Sequence, residues 1–83
     1  MEGGMKLNEA LSRRLCELLD EKNMTAYALY TRSGVSQSTI SDIKNKNNTA
    51  VNVRILFELC EGLGISLQEF FDSPYFSFGT IID

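Results

Sequence analysis

Apolar residues recur at helical spacing almost from the start of the chain. Leu7, Leu11, Leu15, Leu18 and Leu19 follow one another at intervals of four, four, three and one, which aligns them on one face of a helix. The pattern predicts a first helix from about Asn8 to Lys22, closed by Asn23. Thr25 suits the N-cap of a second helix running through Ala28, Leu29 and Arg32. Gly34 follows, where the chain can turn with positive φ and no Cβ penalty. Ser36 caps a third helix, about Gln37 to Asn45, with Val35, Ile40 and Ile43 facing inward. Residues 44–49 then read as a polar loop. Asn52 caps a fourth helix whose apolar face is Val53, Leu56, Phe57, Leu59, Cys60 and Leu63, bracketed at its end by Gly62 and Gly64. Ser66 and Glu69 have the spacing of a capping box for a short fifth helix ending at Phe70 and Phe71. Pro74 opposes its continuation.

Residues 1–5 are expected to be a disordered tail, and 6–71 a single helical domain. Residues 72–83 form an extension too apolar for a solvated tail. Phe76, Phe78, Thr80 and Ile82 alternate there, which predicts an extended segment. It either folds back over its own core or serves as a dimerisation element.

Composition narrows the functional classes. At 83 residues, with 43% hydrophobic and 10% aromatic residues, the chain can build one small core. No apolar run is long enough to span a membrane and residues 1–6 lack the apolar core of a signal peptide, so a cytoplasmic protein is expected. Cys16 and Cys60, each inside an apolar helical pattern, are read as two buried free thiols. Histidine is absent, which removes the commonest general base and metal ligand. Two cysteines alone cannot complete a tetrahedral zinc site. No enzyme, cofactor or metal is expected. Net charge is -3, yet residues 6–48 sum to about +2 and residues 49–83 to -4. A basic front half and an acidic back half fit one nucleic-acid face on an otherwise acidic domain.

The third helix carries the candidate chemistry. With Ile40 and Ile43 inward, Gln37, Ser38, Ser41, Asp42 and Asn45 lie outside. Gln can pair bidentately with adenine, Ser can serve several bases and Asp can accept from cytosine N4. Gln37, Ser38, Ser41 and Asp42 are therefore the candidate base readers. Thr39 can offer a methyl to thymine or a hydroxyl to phosphate. Tyr27, Lys44 and Lys46 can reach the DNA backbone, and Asn47 and Asn48 could continue along it.

From about Leu15 to Phe71 the chain resembles the Cro/repressor-type, or Xre-like, helix-turn-helix family. The resemblance rests on Met24-Thr25, Leu29, Gly34-Val35-Ser36, Ile40-Ser41, Ile43 and Asn45, then Leu56, Leu59, Leu63 to Ser66 and Phe70-Phe71. It implies a compact five-helix all-α domain that places helix 37–45 in the major groove of double-stranded DNA. It also implies phosphate contacts at Thr25, Ser36 and Asn45. The function implied is a transcriptional regulator, a repressor, acting as a homodimer. Several positions depart from the family pattern. Ala26 stands where Gln often contacts phosphate, and Tyr30 where Ala allows close helix crossing. Leu19 and Lys44 replace an Arg–Glu pair joining helix one to the end of the recognition helix. Lys46 and Val51 replace the usual Gly and Pro of the following loop. Ala26, Asp42 and the acidic back half motivate the alternative, a protein-interaction module such as an antirepressor or antitoxin with a protein partner.

Overall fold

A computed structural model of the chain describes residues 4–47 and 51–83. These form α1 (Leu7–Glu21), α2 (Ala26–Ser33), α3 (Gln37–Lys44), α4 (Val53–Leu63) and α5 (Leu67–Phe70), followed by a short 3₁₀ turn at Pro74–Phe76. The fold is all-α, as expected. Asn48 and Thr49 of the expected polar loop lie outside the described residues.

Local chemistry explains where most of these helices begin and end. The side chains of Thr25, Ser36, Asn52 and Ser66 accept from the backbone N–H three residues on, at 3.0, 3.2, 2.8 and 3.0 Å. Each satisfies one of the donors that a helix start leaves without an intrahelical partner. Gly34 and Gly64 end α2 and α4 at φ 76 and 78, in the left-handed region that glycine enters without strain. Helix α1 differs, because Lys6 gives no side-chain cap. Its first N–H, from Leu7, instead donates to Asp83 Oδ1 at the far end of the chain, at 2.7 Å.

The core gathers one face from each helix: Leu11, Leu15, Leu18 and Leu19 of α1, Leu29 of α2, Ile40 and Ile43 of α3, Leu56, Leu59, Cys60 and Leu63 of α4, and Phe70 of α5, with Val35 from the turn. Helices α2 and α4 approach each other closely. A Cβ at Gly62 would sit 2.7 Å from Ser33 Cβ and 2.9 Å from Leu29 Cδ1. Tyr30 points outward at 38% exposure and so does not obstruct the packing of α2. Val53 and Phe57, expected on the apolar face of α4, lie at its edge and remain exposed.

Two polar side chains of α1 are buried among these residues. Arg14 is 9% exposed and donates to the carbonyls of Phe70 (2.6 Å) and Glu69 (2.7 Å), at the C-terminal end of α5. A cation there both meets the negative end of the helix and fills acceptors the helix leaves open. Ser12 is 4% exposed and donates to the Lys44 carbonyl at 2.6 Å.

Two expectations are corrected. Cys16 is an exposed free thiol, because one step beyond Leu15 turns it about 100° off the buried stripe. Cys60 is the buried one. The alternating residues after Pro74 do not form a strand. Thr80 N–H closes a turn onto the Ser77 carbonyl at 3.0 Å, and Gly79 stands at φ 87, which breaks the extended run. What remains is a single parallel bridge between Met5 and Ile81. Of the expected tail, residues 1–3 lie outside the described residues, and Met5 takes part in this pairing. Phe76 packs on the core, its ring 5.0 Å from that of Phe71 and 6.2 Å from that of Phe70.

Arg14→Ala should lower the unfolding free energy in urea by about 2 kcal/mol, since it strips the buried Phe70 carbonyl and the part-buried Glu69 carbonyl of a charged donor. A loss below about 1 kcal/mol would show that the Arg14 contacts do not hold α5. The thiols give a second expectation. Burial first, and the charge of Glu69 second, push the Cys60 thiol from 9.0 up to about 11. The folded state thus favours the neutral thiol. That contribution to stability is complete below pH 9 and is lost as pH rises towards 11. At neutral pH a thiol reagent should label one cysteine, Cys16, in the native protein and both after unfolding. Rapid native labelling of both would contradict the buried Cys60.

Candidate nucleic-acid interface

Helices α2 and α3 are joined by only three residues, Gly34, Val35 and Ser36. Val35, Ile40 and Ile43 are buried, at 5%, 0% and 3% exposure. This burial fixes which side of α3 faces away from the core. On that side Gln37, Ser38, Ser41, Lys44 and Asn45 line a shallow hollow together with Ala26 of α2. Gln37, Ser38, Ser41 and Asn45 are exposed, and Lys44 is half-buried. Asn45 is the C-cap of α3 rather than its last helical residue, and its side-chain amide donates to Ser41 Oγ at 3.2 Å. The hollow therefore presents amide and hydroxyl groups together, with one ammonium at its side.

The remaining candidates lie at the starts of α2 and α3, along these helices and just beyond α3. Thr25 and Ser36 are exposed at the starts of α2 and α3, each with its hydroxyl oxygen occupied by a backbone N–H. The helix starts leave further N–H groups and positive partial charge beside them, which is the arrangement that holds phosphate. Thr39 is half-buried, its hydroxyl 3.0 Å from that of Ser36. Asp42 is half-buried and does not line the hollow. Tyr27 is 62% exposed, its ring 5.9 Å from that of Tyr30. Lys46 is exposed just beyond α3, at φ 63.

An exposed polar helix face, joined by a three-residue turn to a second capped helix, is the geometry of a helix-turn-helix. A model of the Cro/C1-type helix-turn-helix DNA-binding domain matches residues 14–74. The chain belongs to that family. Solved structures agree. Prophage Lp1 protein 11 is 29% identical with a TM-score of 0.77, over 88% of this chain and 96% of that one. The wild-type restriction-modification controller protein C.Esp1396I is 28% identical with a TM-score of 0.71, over 78% of this chain and 83% of that one. No curated protein sequence matches the chain.

Sequence reasoning passed over Ser12 and Arg14, which brace this Cro/C1-type domain from α1. A signal for both was present. Arg14 falls three after Leu11 and four before Leu18, and Ser12 three before Leu15 and seven before Leu19, so both interrupt the buried stripe.

Lys46 offers a test of the loop after α3. A side chain at φ 63 is strained, and the family usually places Gly here. Lys46→Gly should stabilise the domain by about 0.5 kcal/mol, the relief of strain being partly offset by the greater freedom of the unfolded chain. An unchanged or lower thermal midpoint would mean that Lys46 bears no such strain.

Proposed function

We propose that the chain is a sequence-specific transcriptional repressor that binds DNA as a homodimer, with α3 in the major groove. The observation that carries this reading is the hollow shared by Gln37, Ser38, Ser41, Lys44, Asn45 and Ala26, flanked by the starts of α2 and α3. Gln37, Ser38 and Ser41 read base edges, with Asn45 beside them. Asp42 reads from outside the hollow, where a carboxylate can accept from cytosine N4. Thr25, Tyr27, Ser36, Thr39, Lys44, Asn45 and Lys46 hold the backbone. The structures it resembles are a prophage protein and a restriction-modification controller protein, which supports a regulatory role.

Dimerisation follows from the economy of reading two half-sites one helical turn apart. Exposed apolar residues in the C-terminal half, among them Val53, Phe57, Phe71, Phe78 and Ile82, offer surface for a second copy.

Selection of bound sequences from a random DNA pool should return a two-fold-symmetric consensus. Affinity for that sequence should fall steeply with salt. Gln37→Ala combined with Ser38→Ala should cost about tenfold or more in specific affinity while leaving binding to unrelated DNA nearly unchanged. Lys46→Gly should weaken both kinds of binding alike. A folded protein that enriches no sequence would defeat the reading.

A further inference from the structure

The end of α3 is held by a contact that the family resemblance does not supply. Helix α3 has two ends to fix. Its start follows from α2 through the three-residue turn. Its last carbonyls have no intrahelical partner and must find one elsewhere. The Lys44 carbonyl finds the hydroxyl of Ser12, at 2.6 Å, across the interface between α1 and α3. Ser12 is 4% exposed, so water has little access to replace it. In the family pattern an Arg on the first helix pairs with a Glu at the end of the recognition helix. Here those positions are Leu19 and Lys44. Leu19 is buried at 6% exposure and has no polar atom to offer. In this chain a hydroxyl and a backbone carbonyl tie α1 to the end of α3.

We propose that Ser12 is a positioning residue for DNA reading: its hydrogen bond to the Lys44 carbonyl sets how the C-terminal end of α3 lies in the groove. The proposal rests on the reading of α3 as the DNA-facing helix. Ser12 touches no base. It acts through the backbone that carries Ser41, Lys44 and Asn45 on the last turn of the helix. Loss of the bond frees that end while the start stays anchored through Gly34–Ser36, so selectivity falls most at the base pairs facing Ser41 and Asn45.

Ser12→Ala removes the donor. Ser12→Cys keeps a similar volume with a weak donor and guards against failure to fold. Two readouts are taken on chains shown by circular dichroism to be folded. The first is hydrogen exchange of the Asn45, Lys46 and Asn47 amides, which donate to the Ser41, Ile43 and Asp42 carbonyls in the last turn. These should exchange about tenfold faster in Ser12→Ala, with a smaller change in Ser12→Cys, beyond any acceleration shared with α4. The second is DNA binding. Affinity for the selected sequence should fall by about the same factor, and by clearly more than affinity for unrelated DNA. Acceleration no greater than that of α4 overturns the proposal, because Ser12 then serves only global stability. Local acceleration with unchanged specific affinity overturns it too. A wild-type chain that selects no DNA instead overturns the functional reading, and the exchange measurement still decides whether Ser12 holds the end of α3.

Discussion

The placing of the recognition helix depends on how closely α2 lies on α4. Gly62 makes that approach feasible, because a Cβ there would collide with Ser33 and Leu29. Leu29, fully buried, lies at this contact. Once α2 is seated, the three-residue turn leaves α3 little choice of direction, and Val35, Ile40 and Ile43 fix its rotation by burial. Close-packed interiors resist even small additions of volume, so this contact acts as a hard stop rather than a soft preference. The polar face of α3 is thus presented by packing that contains no DNA-facing residue.

Electrostatics contribute in a more local way. The chain is acidic as a whole, and only residues 6–48 lean basic. Long-range attraction to DNA is therefore weak, and the candidate interface must rely on close contacts. Helix starts capped by Thr25 and Ser36, the amide and hydroxyl groups of the hollow, and Lys44 beside it are short-range elements. The helix starts and Lys44 suit phosphate, which carries no sequence information, whereas the amide and hydroxyl groups of the hollow suit base edges, which do.

The parts of the fold legible in the sequence were those governed by neighbouring residues. Caps at Thr25, Ser36, Asn52 and Ser66, the turns at Gly34 and Gly64, and the inward residues of α3 all follow from chemistry within four positions along the chain. The outer face of α3 was legible for the same reason, since burial of Ile40 and Ile43 determines it. The contacts of Ser12 and Arg14 were not, because their partners lie 32 and 56 residues away in sequence. Periodicity shows that a polar residue interrupts an apolar stripe, but it does not show which carbonyl awaits it. Cys16 was misread because a helix seen as broadly apolar hides a rotation of one residue. The segment after Pro74 was misread because alternation describes a strand only where a partner strand runs beside it. Here the partner is Met5 alone.

That same segment shows how one stretch can satisfy two demands. Phe76 turns inward onto Phe70 and Phe71, the Met5 and Ile81 backbones pair, and Asp83 caps the helix that Lys6 leaves open. A Cβ at Gly4 would clash with Ile82 and lie 2.7 Å from the Thr80 carbonyl, so the segment at Gly4 and Met5 and the segment at residues 80–82 meet at close range. These segments thereby stabilise α1, which in turn carries Ser12 and Arg14 to the far ends of α3 and α5. Phe78 remains fully exposed on its turn, and Ile82 largely so. Folding back over the core therefore leaves outward residues of 72–83 exposed. The inward residues hold these outward ones in place, so the homodimer proposed above would need little further ordering of the chain there.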